Sequence, residues 1–243
     1  MSDTQRIKTF IETMTYEEKQ KALLDVEKGH FPFITISRQA GAGGLTLAKA
    51  LLGQIEKEKE DPLLRGWHVC GRELCQLVTE DPNVNVLMST LVSSEYRSQI
   101  EDMVSEMIAG TPPQDVVIKK MFRMIRTLAT FGKVVLVGRG ASILTRRLPL
   151  GIHVRLIAPL STRVNRMMHL LGASEAEAKK TVQEQDKGRA RLIDTFFNKN
   201  IEDPLLYDVV WNTDTVSIDE IARILVSMVK QKAKLMTSST KRS

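Results

Sequence analysis

The sequence predicts an α/β protein with a parallel β-sheet, and three observations support this prediction. Short apolar runs rich in β-branched residues, which are typical of buried strands, recur along the chain. Segments with apolar residues at helical spacing separate these runs. A cluster of glycines follows the first run and leads directly into a helical segment. Strands that alternate with helices form parallel sheets, and such sheets bind ligands at the carboxyl ends of their strands.

The predicted strands and helices can be placed along the chain in order. Strands are expected at residues 31–37, 67–70, 133–138, 152–158 and 207–211. The first helix follows the glycine cluster and has apolar residues at helical spacing from Leu47 to Ile55. Residues 83–131 have a mostly helical pattern, which is broken at residues 110–113 by glycine and proline. The last helix begins at a capping box that starts at Ser217.

Local chemistry sets two more helix boundaries between the last two strands. Gly172 is expected to end one helix, because glycine adopts the left-handed conformation of a C-terminal cap without strain. Ser174 and Glu177 have the spacing of a capping box and are expected to begin the next helix.

The chain is predicted to have one main domain with a segment on either side of it. Residues 1–30 read as an N-terminal helical extension, in which Thr15 and Glu18 have capping-box spacing. Residues 31–235 contain all the predicted strands and form the main domain. Residues 236–243 are basic and are expected to form a disordered tail.

The composition excludes several classes of protein. The 243 residues include 35 basic and 29 acidic ones, for a net charge of +6, and 42% are hydrophobic, as in ordinary globular proteins. No apolar run reaches the roughly 20 residues that span a bilayer, and we see no secretory signal. Cys70 and Cys75 match no common metal spacing, so we expect reduced thiols in a cytoplasmic protein. The basic C-terminal segment gives only a weak nucleic-acid signal, because no aromatic residues are interleaved with it.

The glycine cluster, residues 37–46, is the first candidate site. Gly41, Gly43 and Gly44 permit positive φ angles, so that successive backbone amides can converge on an anion. The N-terminus of the following helix adds a partial positive charge at the same place. Thr46 has a hydroxyl that can ligate Mg²⁺ or donate to a phosphate oxygen. A glycine-rich turn without any ligand is the alternative interpretation.

Two arginine-bearing segments are further candidates. Arg139 stands between two glycines at the end of a predicted strand, where it can bind a phosphate or a base, or form an ordinary surface salt bridge. The second segment, residues 182–197, can be a mobile segment that closes over a polyphosphate, or a solvated helix face. It contains four charged candidates: Asp186, Lys187, Arg189 and Arg191.

In collinear order, five stretches resemble the cytidylate-kinase-like family, which belongs to the nucleoside monophosphate kinase group of P-loop proteins. They are ITISRQAGAGGLTLAKAL, VVLVGRGASIL, HVRLIAPLSTRVNRMM, DKGRA and YDVVWNT. The resemblance covers residues 33–230. It implies a three-layer α/β/α fold of the P-loop kinase type, in which a parallel sheet lies between two layers of helices.

The resemblance also implies a kinase that moves a phosphoryl group from ATP, with Mg²⁺, to a nucleoside monophosphate such as CMP or to a related small phosphate. Its partners would be small nucleotides, with no membrane involved. Arg38, Arg189 and Arg191 are then expected to be catalytic, and Arg139, Asp186 and Lys187 to bind the acceptor. Thr46 would also ligate the metal. The residues that would hold ATP are Gly41, Ala42, Gly43, Gly44, Leu45 and Thr46.

Three positions depart from the pattern of the family. Gly44 stands where a P-loop lysine is usual, and Gly71 and Gly140 stand where the family often carries aspartate. We expect Arg38 to supply the positive charge that Gly44 lacks. The alternative function is a nucleotide-binding sensor that has kept the fold and lost phosphoryl transfer.

Overall fold

The strands of the sheet run in one direction and are joined through helices. The computed structural model describes Thr9, residues 31–71 and residues 116–239. In the described residues the strands are β1 (Phe33–Arg38), β2 (His68–Cys70), β3 (Val134–Val137), β4 (Gly151–Ile157) and β5 (Val209–Asn212). The α-helices are α1 (Gly44–Lys57), α2 (Val116–Phe131), α3 (Ala141–Leu144), α4 (Leu160–Leu171), α5 (Glu175–Phe197) and α6 (Ile218–Ser239). A short 3₁₀ helix, Pro204–Leu206, precedes β5.

The order of the strands places β1 at the centre of the sheet. The order is β2-β3-β1-β4-β5, and every pair is parallel. The loops that follow β1, β3 and β4 therefore emerge at the same edge of the sheet, which we call the carboxyl edge. This edge is where a parallel sheet binds ligands, because the first turns of the following helices point their amides toward it.

One face of the sheet is covered by α1 and α6. Ile34 and Ile36 of β1 point into this layer with alternate residues of β3 and β4, and all are buried. The apolar stripe of α1 includes Leu47 and Leu51, both 0% exposed, which confirms the helical spacing read from the sequence. β-Branched residues on the strands and evenly spaced apolar residues on the helices thus account for this half of the core.

The other face carries α2 and the C-terminal end of α5. Phe122 of α2 is fully buried, and its ring lies 5.7 Å from that of Phe196 and 5.3 Å from that of Phe197. These aromatic contacts hold the end of α5 against α2, at the side of the carboxyl edge that is formed by the loop after β3. The predicted three-layer fold is therefore confirmed.

The predicted strand boundaries and the two helix boundaries between the last two strands agree with the structure. Each strand begins and ends within two residues of its prediction. Gly172 follows the last residue of α4 with a φ of 62°, and Ser174 and Glu177 form the expected reciprocal capping box at the start of α5. The capping box at residues 15–18, the helical pattern at 83–115 and Cys75 lie outside the described residues.

The C-terminal helix is longer than the sequence suggested. The structure extends α6 to Ser239, four residues into the segment expected to be a disordered tail, and residues 240–243 lie outside the described part. The physical reason is that no glycine or proline interrupts the residues before 239, so nothing in the backbone ends the helix earlier. In the described residues, no helix combines the length and the apolarity that a membrane crossing requires.

Candidate functional site

The turn between β1 and α1 leaves the first amides of α1 uncapped. Gly43 precedes the helix with a φ of 85°, and no side chain accepts a hydrogen bond from the first turn. The first three amides of a helix have no carbonyl partner within it, so those of Gly44, Leu45 and Thr46 remain available. Gly41 and Gly43 adopt positive φ angles, as the sequence indicated, whereas Gly44 does not. The turn can therefore accept an anion through its backbone.

The side chain of Arg38 lies across Gly44 and reaches the loop after β3. A Cβ atom added to Gly44 would lie 2.8 Å from Cγ of Arg38, which is closer than a carbon contact allows. At the other end, a Cβ added to Gly138 would overlap Nη1 of Arg38, and Gly138 also has a φ of 82°. Both glycines are therefore needed to leave room for this arginine. Arg38 connects the glycine turn to the loop that carries Arg139.

The electrostatics of Arg38 reflect a concentration of positive charge. Burial, together with the charges of Arg189 and Arg139, lowers the pKa of Arg38 to about 10, and Asp186 opposes this shift only in part. The guanidinium is still protonated at neutral pH. The positive charges of its neighbours destabilise the charged form of Arg38, so an anion that binds beside it would stabilise that form.

A cavity of about 340 Å³ opens beside Arg38 at the carboxyl edge. Its walls come from the ends of β1 and β3, from the loop after β3 and from the middle of α5. Three arginines line it, Arg38, Arg139 and Arg189, and no lining residue is acidic among the part of the chain described. Hydroxyl groups are contributed by Thr35, Ser37, Ser142 and Tyr207.

Arg139 is held toward this cavity in an unusual backbone conformation. Its φ is 60°, and its neighbours Gly138 and Gly140 have φ values of 82° and 71°. A side chain in the left-handed region costs about 1–2 kcal/mol, so packing must hold it there. The ring of Phe197 supplies such packing, because it lies directly against Gly140.

An ion pair clamps the residue that begins the glycine turn. The amide of Ala40 donates to Oδ1 of Asp186 at 2.6 Å, and the Ala40 carbonyl accepts from Nη1 of Arg163 at 3.2 Å. The same Nη1 donates to Oδ2 of Asp186 at 2.6 Å, and Nε of Arg163 donates to the carbonyl of Ala158. We call Asp186 and Arg163 the Ala40 clamp. It ties α4 and α5 to the turn that precedes α1.

Arg189 joins the clamp to the cavity. Its Nη1 lies 3.4 Å from Oδ1 of Asp186 and 3.4 Å from the carbonyl oxygen of Arg38. Burial lowers the pKa of Arg189, Asp186 raises it, and the charges of Arg155 and Arg163 lower it again. The carboxylate of Asp186 is shared between Arg163 and Arg189, so it neutralises the charge of Arg189 only in part. An anion that enters the cavity would therefore be attracted to Arg189.

The structure thus brings together only some of the residues singled out in the sequence. Arg38, Arg139 and Arg189 line one cavity, while the glycine turn lies beside it and is joined to it by Arg38. Asp186 has both oxygens engaged by protein groups and does not line the cavity. Lys187 and Arg191 are exposed on other sides of α5, outside the cavity lining. The reason is that α5 is one continuous helix, on which these residues face away from Arg189.

Sequence reasoning missed Arg155, together with its partners Ser37 and Tyr207. Arg155 lies on β4, is 4% exposed, and donates from Nη1 to the Ser37 hydroxyl at 3.1 Å and to that of Tyr207 at 3.4 Å. The available signal was an arginine in the middle of a predicted buried strand, since arginine is almost never fully buried unless it is paired.

Comparisons with known proteins agree with this architecture. The model of the cytidylate kinase-like family matches residues 33–215. A solved structure of an uncharacterized protein from Eubacterium ventriosum is 20% identical, with a TM-score of 0.63, and the match covers 82% of this chain and 98% of that one. At this level of identity the likeness shows the fold alone.

Two weaker similarities complete the comparison. A shikimate kinase from Bacteroides thetaiotaomicron is 17% identical over 85% of this chain and 98% of its own, with a TM-score of 0.41. A curated uronate isomerase from Corynebacterium glutamicum is 29% identical over 98 residues, which are 40% of this chain and 19% of that protein. The chain therefore spans about a fifth of the length of the curated relative it matches.

Proposed function

Because the chain belongs to the cytidylate kinase-like family, we propose that it transfers a phosphoryl group from ATP to a small phosphate-bearing acceptor, with a CMP-like nucleoside monophosphate as the first candidate. The observation that supports this best is the course of Arg38. Its side chain joins an uncapped helix N-terminus to a cavity lined by two further arginines. Phosphoryl transfer needs this kind of site, because two phosphate-bearing molecules must meet between positive charges.

The glycine turn fits the phosphates of ATP. The amides of Gly44, Leu45 and Thr46 are uncapped, and the glycines at 41 and 43 leave the backbone open to a close approach. When bound, ATP supplies the phosphoryl group that is transferred. The task of these amides is to hold its phosphates in one position relative to the acceptor.

Thr46 is the residue that fits Mg²⁺. Its side chain is exposed in the first turn of α1, beside the amides that would hold the phosphates. Among the described residues, no three His, Cys, Asp or Glu side chains cluster in a way that could ligate a metal ion. A threonine hydroxyl, phosphate oxygens and water are a sufficient ligand set, because Mg²⁺ keeps several of its waters in nucleotide sites.

Arg38 and Arg189 are proposed to stabilise the charge that the migrating group carries. Arg38 takes the place of the lysine that Gly44 lacks, since its side chain covers that glycine. Arg189 comes from α5, which forms one side of the cavity. Arg139, held by its strained backbone, is proposed to bind the phosphate of the acceptor. No general base is required of the protein when the accepting phosphate oxygen is already ionised.

A second candidate function is a nucleotide-binding sensor. The observation that favours it is the pair Gly44 and Gly140, which remove a lysine and an aspartate that the resemblance would place beside the phosphates and the acceptor. A site with three arginines and uncapped amides can still bind a nucleotide without transferring a phosphoryl group.

One experiment separates the two functions. ADP release would be followed with ATP, Mg²⁺ and a panel of nucleoside monophosphates, beside a thermal-shift titration with ATP alone. The kinase is supported when one acceptor raises ADP release well above the rate without acceptor. A thermal shift with ATP and no stimulation by any acceptor would instead favour the sensor.

A further inference from the structure

Arg155 is a buried charge that the proposed reaction does not yet use. It lies on β4 directly beside Ser37 of β1, in register with it, on the same face of the sheet. Its side chain forms no salt bridge with any acidic residue in the described residues. Its partners are two hydroxyl groups and the Tyr207 ring, whose centroid lies 5.5 Å from the guanidinium carbon. Arg155 itself does not line the cavity, but both hydroxyl groups that accept its hydrogen bonds do. A buried charge is costly unless it is paired, so this one, directly behind the cavity lining, suggests a ligand of opposite charge in the cavity.

The hydrogen bonds around Arg155 determine where the Ser37 proton can point. Tyr207 donates its own hydroxyl proton to the carbonyl of Ile201 at 2.8 Å, so its oxygen acts as an acceptor. Arg155 donates to that oxygen and also to the oxygen of Ser37. The Ser37 proton then has two directions left: the Tyr207 oxygen, 3.2 Å away, or the cavity that Ser37 lines.

An anion in the cavity would favour the second of these two directions for the Ser37 proton. Arg155 already donates a hydrogen bond to the Tyr207 oxygen. The Ser37 hydroxyl can therefore turn into the cavity without leaving that oxygen unpaired. The guanidinium polarises the hydroxyl, which makes it a stronger donor to a negative oxygen. The charge of Arg155 also contributes to lowering the pKa of Arg189, which lines the cavity.

We propose that Arg155 is a positioning residue that turns the Ser37 hydroxyl into a donor for a phosphate oxygen of the acceptor, so that the part of the cavity beside Ser37 is a phosphate subsite. This rests on the proposed function, since the phosphate is that of the acceptor. Tetrahedral phosphate is favoured over planar carboxylate, because the donors of Ser37, Arg38, Arg139 and Arg189 come from different walls and suit several oxygens. Arg155 thus selects acceptors that carry a phosphate over neutral ones.

The test is calorimetric titration of the full chain with inorganic phosphate, with and without a non-hydrolysable ATP analogue that fills the glycine turn. We expect Arg155→Met to weaken phosphate binding about tenfold or more, and Ser37→Ala to do the same. The double variant should lose no more than either single one, because both changes remove the same donor. Arg155→Lys, which keeps the charge, should recover part of the affinity. Arg147→Gln is the matched control, because Arg147 is exposed before β4, at the opposite edge of the sheet.

Three outcomes would overturn the proposal. They are unchanged phosphate affinity in folded Arg155→Met, losses that multiply in the double variant, and acetate that binds better than phosphate. If Arg155→Met does not fold, Ser37→Ala carries the test alone, and unchanged affinity in that variant would also refute it. Phosphate binding without the analogue does not require catalysis. A chain that fails to bind ATP would therefore contradict the proposed function while leaving the phosphate subsite intact.

Discussion

At the start of α1, the side chain of Arg38 fills the space beside Gly44 that a Cβ atom would occupy. Substitution of Gly44 by alanine therefore tests whether this position of Arg38 is needed to bind ATP. In Gly44→Ala the new Cβ would lie 2.8 Å from Cγ of Arg38, near the backbone end of that side chain, where it cannot simply swing aside. We expect ATP affinity to fall about tenfold, because Arg38 must leave the phosphates. Calorimetric titration with ATP and Mg²⁺ measures the loss.

Gly53→Ala is the control for that substitution. Gly53 lies in the same helix, and a Cβ there would meet nothing within 4 Å. This variant should gain up to about 1 kcal/mol in unfolding free energy from helix propensity and keep its ATP affinity. Equal ATP affinity in Gly44→Ala and Gly53→Ala would show that Arg38 does not serve the nucleotide.

Arg189 and Arg191 belong to one helix but differ in what they face. Arg189 lines the cavity, whereas Arg191 is exposed outside it. We expect Arg189→Ala to lower kcat about 100-fold with little effect on ATP affinity, because a charge that assists transfer acts mainly in the transition state. Steady-state ADP release with the best acceptor gives kcat.

The matched variant, Arg191→Ala, removes the same charge two residues further along α5, on another side of the helix. The geometry predicts a kcat within about twofold of the unmodified chain, since an exposed charge is largely screened by salt. A comparable loss of kcat in both variants would mean that α5 rotates or moves during turnover. If ATP affinity fell as much as kcat in Arg189→Ala, Arg189 would not act mainly in the transition state, contrary to its proposed role.

At the scale of elements, the Ala40 clamp is the connection between α5 and the glycine turn. In Asp186→Asn the carbonyl oxygen of the new amide can still accept from Ala40, but the charge that faces Arg163 is gone. We expect a loss of about 1–3 kcal/mol in unfolding free energy, because Arg163 is buried and keeps its charge. Urea denaturation at neutral pH measures this quantity.

Glu184→Gln on the same helix is the comparison for the clamp. Glu184 pairs with Lys180 at 3.9 Å, and both side chains are well exposed. Its removal should cost less than about 0.5 kcal/mol. If Asp186→Asn were no more destabilising than Glu184→Gln, the clamp would be an incidental contact.

The elements themselves were largely predictable from the sequence, and the exceptions have a physical reason. β3 was evident because all four of its residues are apolar, as expected of a parallel strand that is buried on both faces. The continuity of α5 was not evident, because residues 182–197 could be read as a mobile segment or as a helix face, and Gly188 within them weakens a helix. A Cβ at Gly188 would meet nothing, so this glycine relieves no contact, and the helix continues on the strength of its neighbours.

At the scale of the whole molecule, His153 makes stability depend on pH. This histidine is 3% exposed in the sheet, where Nδ1 is hydrogen-bonded to the Thr35 hydroxyl. Burial lowers its pKa from 6.5 to about 4, with the Asp208 carboxylate opposing the shift and Arg146 and Lys232 adding to it. His153 is therefore neutral in the folded chain throughout the mildly acidic range.

Stability should consequently fall as the pH is lowered from about 6.5 toward 4. Below pH 6.5 the unfolded chain takes up a proton at His153 that the folded chain refuses, so unfolding becomes more favourable. We expect a loss of about 2 kcal/mol between pH 7 and pH 5 from this residue alone. Urea denaturation at both pH values measures the loss.

His153→Gln should remove most of that pH dependence, whatever it does to absolute stability. His169→Gln should leave the dependence in place, because His169 is exposed on α4 and lies outside the buried sheet that holds His153. A pH dependence that persists unchanged in His153→Gln would place its origin elsewhere in the chain.

The candidate site was predictable only in part, because it depends on the tertiary structure. The sequence indicated Arg38, Arg139 and Arg189, since each follows a strand or lies in a charged helical stretch. It did not indicate that Arg163 would pair with Asp186, because that contact joins residues on two helices. Arg155 was overlooked for the same reason, because its hydrogen bond to Ser37 joins residues on two strands.

The crowding between Arg38 and Gly44 also limits how this turn can change over evolutionary time. A longer side chain at position 44 cannot coexist with Arg38 in its present pose, since even a single carbon there collides with it. If Arg38 were lost before position 44 changed, the turn would lose the positive charge that Arg38 supplies. If Gly44 were replaced by lysine first, the new side chain would displace Arg38. The two positions are therefore expected to covary among descendants, and lineages should change both together or neither.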